Sequence, residues 1–402
     1  MNAQVIGTTT AIADDRGTLI PGPAAVTAAA ILLAAWYFAV TISWRQAALF
    51  LVGSGAGIVL YHAAFGFTSS WRVLISDGRG AGLRAQMLML ALTCAVFFPL
   101  LAMGSLFGQP LRGSVSPAGV SVVAGAFIFG IGMQLGGGCA SGTLYTAGGG
   151  NTRMLVTLLF FIVGSLVGTA HVAWWTSLPS LPATSLVTTL GPGLGLVVSL
   201  SVFAGIAQVT RVVERRTHGR LLDEPSRGGW LRGPWPLVAG AVGLAAVNIA
   251  TLLIAGRSWG VTSAFALWGA KGASVLGMDV ASWPYWSSAA QAAALESSVL
   301  MDVTSVMNFG IIGGALLAAI LAGRFSPTWQ VSGRSLAAAV VGGLMLGYGA
   351  RLAYGCNIGA YFSGISSGSV HGWLWLVAAF AGNIAGTRLR PLFDLRVEQR
   401  SC

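Results

Sequence analysis

Long apolar stretches, more than any other feature, decide what this chain of 402 residues can fold into. Ten of them approach or exceed the ~20 residues that a helix needs to cross the hydrocarbon core of a membrane. Only 8% of the residues are charged, against roughly 25% in a soluble domain. We therefore predict an all-α polytopic membrane protein, with spans near residues 23–43, 46–65, 84–107, 117–136, 153–175, 188–209, 236–255, 299–323, 335–353 and 371–388.

Four further segments are rich in glycine, serine and threonine and mostly uncharged: 66–76, 137–150, 258–275 and 354–368. A surface loop has little reason to combine small residues with so few charges. Backbone that is not helical is tolerated at membrane depth only where protein or a water-filled cavity bonds it. We therefore predict short half-helices or re-entrant segments at these four places.

Two of these segments carry the same cysteine motif, GGCASG at 137–142 and YGCNIG at 354–359, at an offset of 217 residues. A second match, at an offset of 194, relates GFTS at 66–69 to GVTS at 260–263. We interpret both as traces of an internal duplication. The positions that coincide at the offset of 217 include Gly130/Gly347, Gly132/Gly349, Leu135/Leu352, Gly138/Gly355, Cys139/Cys356 and Gly142/Gly359.

Lysine and arginine are distributed unevenly, with strongly basic segments at 211–220 and in the tail beyond residue 388. Cytoplasmic segments of membrane proteins carry an excess of these residues. Counting spans outward from the basic segments puts 17 of the 22 basic residues, and both termini, in the cytoplasm. The net charge of +11 then reflects membrane orientation and not a nucleic-acid partner. The basic residues that fall outside are Arg45, Arg112, Arg257 and Lys271, with Arg351 at an outer helix end.

By the same count, the Cys139 segment is predicted to enter the membrane from the cytoplasm and the Cys356 segment from the outside. Two halves that run in opposite senses form an inverted-topology repeat, whose binding site is expected near the bilayer midplane. The predicted organisation is a tail and added helix (1–45), a first repeat (46–175), a linker helix with a basic cytoplasmic loop (176–235), a second, inverted repeat (236–390) and a cytoplasmic tail (391–402).

Each G-C-x-x-G motif places a thiol where an apolar helix breaks and a short polar helix begins, and helix N-termini favour anions. Hydroxyl and amide groups nearby could hold an anion weakly enough to release it. The alternative is that these small polar residues only pack broken helices, and that Arg351 snorkels to the outer interface. The predicted substrate-binding residues are Cys139, Cys356, Gly138, Gly142, Gly355, Gly359, Thr68, Ser69, Thr262, Ser263, Asn357 and Arg351.

No metal or cofactor is predicted, because two thiols without nearby histidine or carboxylate make a poor zinc site. Cys94 lies inside an apolar span and is interpreted as a packing residue. Lys271 is expected to face outward, where it could attract anions. Asp302 is expected in a salt bridge at the outer surface.

The paired segments GIGMQLGGGCASGTLY and GYGARLAYGCNIGAYF resemble the YeeE/YedE family of sulphur-transport membrane proteins, over roughly residues 46–390. The resemblance implies inverted halves with re-entrant helices, and cysteines that pass thiosulfate inward through S–H···S and S–H···O contacts. Cys139 and Cys356 match the two core cysteines of that family. Gly66 stands where members of the thiosulfate type often carry another cysteine, so that relay step is missing or taken by backbone N–H groups and Thr68.

These observations predict a permease of the bacterial inner membrane that imports a small sulphur-containing anion, with thiosulfate as the first candidate. The alternative is a membrane thiol oxidoreductase or sulphur carrier that uses Cys139 and Cys356, and a third reading is a channel for another solute. Importing a dianion against an inside-negative potential costs about 4.6 kcal/mol per 100 mV. Because the sequence shows no obvious proton-relay carboxylate, we expect passive flow in contact with membrane lipid, drawn by a cytoplasmic sulphurtransferase.

Overall fold

The computed structural model describes residues 21–221, 229–327 and 330–398. Within these ranges the chain forms sixteen α-helices and four strands of two residues each, so the predicted all-α class is confirmed. The helices are α1 (Pro21–Thr41), α2 (Trp44–His62), α3 (Phe67–Asp77), α4 (Ala81–Met103), α5 (Val120–Gly136), α6 (Ala140–Gly148), α7 (Thr152–Thr176), α8 (Leu186–Thr189), α9 (Gly191–His218), α10 (Leu237–Ala255), α11 (Thr262–Val275), α12 (Ala289–Glu296), α13 (Val303–Leu321), α14 (Gly333–Leu352), α15 (Ser363–Ser366) and α16 (Val370–Leu389).

The remaining elements are short. Strands β1 (Ser105–Leu106) and β2 (Gln109–Pro110) form one antiparallel pair, and β3 (Ala118–Gly119) and β4 (Ser180–Leu181) form another. The other helical turns are 3₁₀ segments at Val280–Ser282, Val299–Met301 and Arg390–Phe393 and a π-helix at Asn357–Phe362.

Nine helical segments of the described residues are long and apolar enough to cross a membrane. Three of them join a long helix to the short helix that follows it: α2 with α3, α5 with α6, and α14 with the π-helix and α15. Helix α16 falls outside these nine, yet it has 20 residues and packs along α5. Each of the ten predicted spans therefore corresponds to a long helix. The fourth predicted half-helix, 354–368, is instead a π-helix followed by one short α-helical turn.

Glycines allow α5 and α14 to cross in close contact, and their contacts come in matched pairs. A Cβ atom built on Gly132 would lie 2.8 Å from the Leu346 nitrogen, and one built on Gly349 would lie 2.8 Å from the Phe129 nitrogen. The offset of 217 that relates the two glycines also relates Phe129 to Leu346. Because interiors are packed to crystal density, neither position has room for a larger residue.

The same correspondence extends to the next layer of helices. Helix α5 packs along α16, and α14 packs along α7. A Cβ on Gly130 would overlap the carbonyl oxygen of Ala379 in α16, and a Cβ on Gly347 would overlap that of Phe161 in α7. The surroundings of the two cysteine segments are thus built in the same way.

Helices α1 and α9 lie at the periphery of the bundle. Their apolar side chains are largely uncovered, with Trp36 66% exposed and Leu194 56% exposed. In a multi-pass membrane protein such surfaces face lipid, where an apolar side chain costs nothing to expose.

The alternation of the long helices divides the polar residues between two ends of the molecule. We call them the Arg72 end, where α1 begins and α16 ends, and the Arg351 end. The predicted cytoplasmic positions Arg16, Arg227 and Arg400 lie outside the described residues. The other arginines of the described ranges lie at the Arg72 end, and the basic residues at the Arg351 end are Arg45, Arg112, Arg257, Lys271 and Arg351.

Candidate functional site

Cys139 lies at the break between α5 and α6. Helix α5 ends at Gly136, and Gly137 then takes a left-handed conformation with φ of +91°, which glycine adopts without penalty. Cys139 is the N-cap of α6, where its Sγ accepts a hydrogen bond from the Gly142 nitrogen at 3.4 Å and lies 3.4 Å from the Ser141 hydroxyl. The thiol therefore sits among the free N–H groups at the start of a helix.

Cys356 occupies the corresponding break between α14 and the π-helix. Its carbonyl oxygen accepts hydrogen bonds from the Ala360 nitrogen at 2.8 Å and from the Tyr361 nitrogen at 3.3 Å, and the second spans the five residues typical of a π-helix. The preceding Gly355 has φ of +148°, and a Cβ on it would lie 3.2 Å from the Gly359 carbonyl carbon. A Cβ on Gly138 would lie at the same 3.2 Å from the Gly142 carbonyl carbon. In both segments, glycine before cysteine lets the chain fold back onto the next turn.

Both thiols lie in one core cluster and are shielded from solvent. Cys139 is 2% exposed, Cys356 is 0% exposed, and neither forms a disulfide. Gly359, one turn beyond Cys356, is partly exposed and has no heavy atom within 4 Å of a Cβ built on it. Its carbonyl oxygen accepts a hydrogen bond from the Ser114 hydroxyl at 3.1 Å. A side chain therefore has room at Gly359, whereas Cys356 one turn earlier is fully enclosed.

Two predicted site residues carry buried polar atoms without a hydrogen-bond partner. Asn357 is fully buried, and both its amide nitrogen and its amide oxygen are unpartnered. Thr68, at the start of α3, is 4% exposed, and its hydroxyl is also unpartnered. An unsatisfied buried polar group costs about 1–3 kcal/mol. A water molecule or a polar ligand that bonded these groups would recover that cost.

Gln134 and Arg351, which correspond at the offset of 217, each bond to the start of a half-helix. The Gln134 amide nitrogen donates to the Thr68 carbonyl oxygen at 3.2 Å and also bonds the Asn383 side chain. Arg351 donates from Nη2 to the Thr262 hydroxyl at 2.9 Å. Its Nη1 donates to the hydroxyl of Tyr285 at 3.3 Å, and its buried Nε has no partner. The guanidinium is thus hydrogen-bonded to α11.

The two serines of the predicted site play smaller parts. Ser69 bonds the carbonyl oxygen of Gly66, within its own turn. Ser263 is exposed and bonds the hydroxyl of Thr304 on α13. Both side chains therefore bond groups of the protein at the half-helix starts.

Three other expectations have clear outcomes in the structure. Lys271 donates to the carbonyl oxygens of Leu295 and Ser297 at 2.6 and 2.7 Å, so it holds the end of α12 and is not free to attract anions. Asp302 caps α13 by accepting a hydrogen bond from the Ser305 nitrogen at 2.8 Å, and its other oxygen lies 3.9 Å from Nη2 of Arg257 in the expected salt bridge. Cys94 is fully buried in α4, where its thiol lies 3.8 Å from a carbonyl oxygen, consistent with packing.

Sequence reasoning missed an aromatic cluster between α3 and the cysteine segments. Tyr361 of the π-helix stacks on Trp375 with ring centroids 6.1 Å apart, and Trp71 and Phe67 of α3 meet the Tyr361 ring edge-on. Phe67 and Trp71 are four residues apart, and this spacing puts both on one helix face. This spacing in the sequence therefore indicates that α3 has a buried face.

Sequence reasoning also missed a cluster of arginines at the carboxyl end of α5. Arg153 donates to the Gly136 carbonyl oxygen at 2.9 Å, and Arg390 donates to that of Gln134 at 2.7 Å. These bonds satisfy carbonyls that the last turn of a helix leaves free. Arg72 reaches the same place from α3, with its Nη1 3.5 Å from the Gln134 side-chain oxygen.

The carboxylate of Glu398 neutralises part of this cluster. Burial raises the pKa of Glu398, but the hydrogen bonds and charge of Arg72 outweigh it and hold that pKa below its usual range. Burial, with the neighbouring Arg72 charge, lowers the pKa of Arg390 to about 10, so this guanidinium remains protonated at neutral pH. The end of the bundle beside Gln134 is therefore positively charged.

Taken together, the fold and the site define a multi-pass membrane protein with two interrupted helices whose breaks carry buried thiols in a shared core. The chain matches the family model described as Sulphur transport over residues 62–385. It belongs to that family, and the resemblance drawn from the two cysteine motifs is confirmed.

Three relatives are transporters. The probable transporter YedE of Escherichia coli (strain K12) is 31% identical over 173 residues, which are 42% of this chain and 42% of that protein. The YedE of Salmonella typhimurium matches with the same identity over the same shares. The chain thus spans less than half the length of these two relatives. The thiosulfate transporter TsuA of Spirochaeta thermophila is 26% identical over 353 residues, 83% of this chain and 95% of that protein. The family description and the names of all three relatives refer to transport and to no enzymatic activity.

Proposed function

We propose that this protein is a permease of the bacterial inner membrane that imports a small sulphur-containing anion past Cys139 and Cys356, with thiosulfate as the first candidate. The observation that carries the proposal is the pair of matched glycine–cysteine breaks buried in one core of a sulphur-transport family member. Similarity to a thiosulfate transporter over 83% of the chain supports the choice of anion.

The two segments belong to halves of opposite sense in this proposal, residues 46–175 and 236–390. Support comes from two contacts between α5 and α14, Gly132 with Leu346 and Gly349 with Phe129, which the offset of 217 relates to each other. It also comes from Gln134 and Arg351, which hold the starts of α3 and α11. The excess of arginine at the Arg72 end makes that end cytoplasmic by the positive-inside rule.

Weak, repeated contacts are the chemistry that suits such a path. A thiol donates a weak S–H hydrogen bond, and the helix start behind Cys139 adds N–H groups aimed at an anion. The unpartnered groups of Asn357 and Thr68 supply further bonds without fixed charge. An anion held in this way is bound favourably enough to enter and weakly enough to leave.

The structure is closed at Cys356, so transport needs a local opening. The segment that closes the path is a π-helix, a rare form that is frequently found at functional sites. A shift of this one turn would join the space beside Gly359 to the Cys139 segment, without movement of the long helices. A cytoplasmic sulphurtransferase that consumes the anion would keep the flow inward.

Uptake of labelled thiosulfate into proteoliposomes tests the proposal. Cys139→Ala and Cys356→Ala should each lower uptake about tenfold or more, because each removes a hydrogen bond to a charged group. Cys94→Ala is the matched control, a buried cysteine outside both G-C-x-x-G motifs, and should transport normally. Size-exclusion chromatography checks folding. Normal uptake in both site variants would refute the thiol path.

Mass spectrometry of the thiols during turnover separates the alternative function. An oxidoreductase or sulphur carrier would accumulate a disulfide or persulfide on Cys139 or Cys356, whereas a permease returns both as free thiols. The appearance of either modification at the turnover rate would replace the permease proposal.

A further inference from the structure

At the Arg72 end, the guanidinium of Arg72 binds the carboxylate of Glu398 in the C-terminal tail. Arg72 Nε and Nη2 donate to the two oxygens of Glu398 at 2.8 Å each. This is the bidentate geometry by which arginine binds planar carboxylates and phosphate-like oxyanions. The side chains are 13% and 21% exposed, so the pair is largely shielded from solvent screening.

Of the arginines beside α5, Arg72 is the one that holds an exchangeable partner. Arg153 and Arg390 spend their donors on backbone carbonyl oxygens, those of Gly136 and Gln134 among them. These bonds are part of the fold and cannot be given to a ligand without cost. Arg72 binds a side chain that lies 326 positions away, on the tail after the last helix. The cluster also stays positively charged with one carboxylate in place, so a dianion would neutralise it better.

Arg72 also lies next to the candidate path. It follows Thr68 by four residues on α3, and this spacing puts the two side chains on one face, one turn apart. Thr68 carries one of the unpartnered hydroxyls and bonds Gln134 through its carbonyl oxygen. An anion that left the buried hydroxyl toward the Arg72 end would reach this guanidinium within one helical turn.

We propose that Arg72, with Arg390 beside it, forms an oxyanion-binding site at the exit of the path, and that Glu398 is its resident anion. A sulphur oxyanion displaces this carboxylate when it leaves, and the tail returns when the anion has gone. The identity of the anion rests on the proposed function; the exchange of a tetrahedral oxyanion for the carboxylate does not.

Tail release can be measured without transport, on the full chain in detergent. Trypsin cleavage after Arg396, followed by mass spectrometry, reports whether the tail is held, since the Arg396 carbonyl oxygen is bonded by Arg390. Thiosulfate should speed this cleavage, and sodium chloride at the same ionic strength should not. Equal acceleration by sulfate would support an oxyanion site that does not distinguish thiosulfate from other dianions. Equal rates in all three salts would overturn the proposal.

Variants of the ion pair sharpen the test. Glu398→Gln should release the tail without added anion, roughly tenfold faster than the native chain, because it removes a charge-assisted bond. Arg72→Lys keeps the charge but loses the bidentate fork, so the tail should be held less firmly and respond less to thiosulfate. Unchanged cleavage in both variants would overturn the assignment.

The swapped chain Arg72→Glu with Glu398→Arg separates an anion site from a structural ion pair. The pair can form again with its charges exchanged, so the tail should be protected, but thiosulfate should no longer release it. Release by thiosulfate in the swapped chain would place the anion elsewhere and refute the site. Native protein that fails to take up thiosulfate yet shows anion-driven tail release would refute the transport proposal and leave this one standing.

Discussion

Gly355 and Gly359 lie on either side of Cys356 and should respond in opposite ways to the same substitution. Gly355 has φ of +148°, a conformation that side chains rarely adopt, and a Cβ there would lie 2.9 Å from the Ala360 nitrogen. Such backbone strain costs on the order of 1–3 kcal/mol, and overpacking a filled core adds about 1–3 kcal/mol. Gly355→Ala should therefore destabilise the protein by roughly 2–6 kcal/mol.

Gly359→Ala adds the same methyl group in open space. No heavy atom lies within 4 Å of its Cβ position, and alanine favours a helical conformation over glycine by about 1 kcal/mol. The variant should fold as well as the native protein. Its methyl group would nevertheless project into the space one turn beyond Cys356, where the proposed path reaches the thiol, so uptake of thiosulfate should fall.

Two measurements on each variant check this reasoning. Thermal unfolding in detergent should show a lower midpoint for Gly355→Ala and an unchanged or higher one for Gly359→Ala. Uptake into proteoliposomes, normalised to folded protein, should fall for Gly359→Ala. Native uptake in that variant would mean that the anion does not pass Gly359, and native stability of Gly355→Ala would refute the strain.

Three further substitutions or conditions test other parts of the site. Asn357→Leu removes two unpartnered buried groups of about 1–3 kcal/mol each, so thermal unfolding should show equal or higher stability while uptake is lost; lower stability would mean that the amide has a structural partner. Arg351→Gln copies the residue at the equivalent position 134 and should raise the thiosulfate concentration for half-maximal uptake without unfolding the protein; an unchanged value would remove Arg351 from the site. The pKa of Glu398 is held below its usual range, so the ion pair contributes stability above the unfolded pKa of about 4.3 and loses it as pH falls through the folded pKa. Hydrogen exchange of the tail, corrected for its intrinsic pH dependence, should therefore be flat from pH 5 to 8 and rise only in stronger acid; release between pH 5 and 7 would contradict this.

The sequence was sufficient to predict the features that depend on local composition. Apolar length located the long helices, because a membrane span needs about 20 such residues. Glycine before each cysteine located the breaks, since only glycine readily takes the φ of +91° at Gly137 or +148° at Gly355. The offset of 217 also makes Gln134 and Arg351 equivalent positions.

Features that depend on contacts across the chain could not be predicted in this way. From the sequence, Arg72 is only one of many basic residues predicted to be cytoplasmic. Its partner Glu398 is 326 residues away, so the ion pair has no local signal. Lys271 was expected to attract anions, but its donors are taken by the end of α12, a short helix with no long apolar run to predict it. The π-helix at Asn357–Phe362 has no composition that distinguishes it from an α-helical turn.

Gln134 and Arg351 occupy equivalent positions in the two repeats, yet they give the two ends of the proposed path different charges. At the Arg351 end, the guanidinium comes from the long helix and bonds the first hydroxyl of α11, at Thr262. At the other end the equivalent residue is the neutral Gln134, and the guanidinium comes from Arg72 on the half-helix itself. The first cation lies where an anion would enter the space beside Gly359. The second lies where it would leave, already paired with a carboxylate. At the Arg72 end the Glu398 carboxylate competes with an anion for the guanidinium, whereas Arg351 bonds hydroxyl groups and has no carboxylate partner among the described residues. In the proposed direction of transport, that competition would favour release at the Arg72 end and capture at the Arg351 end.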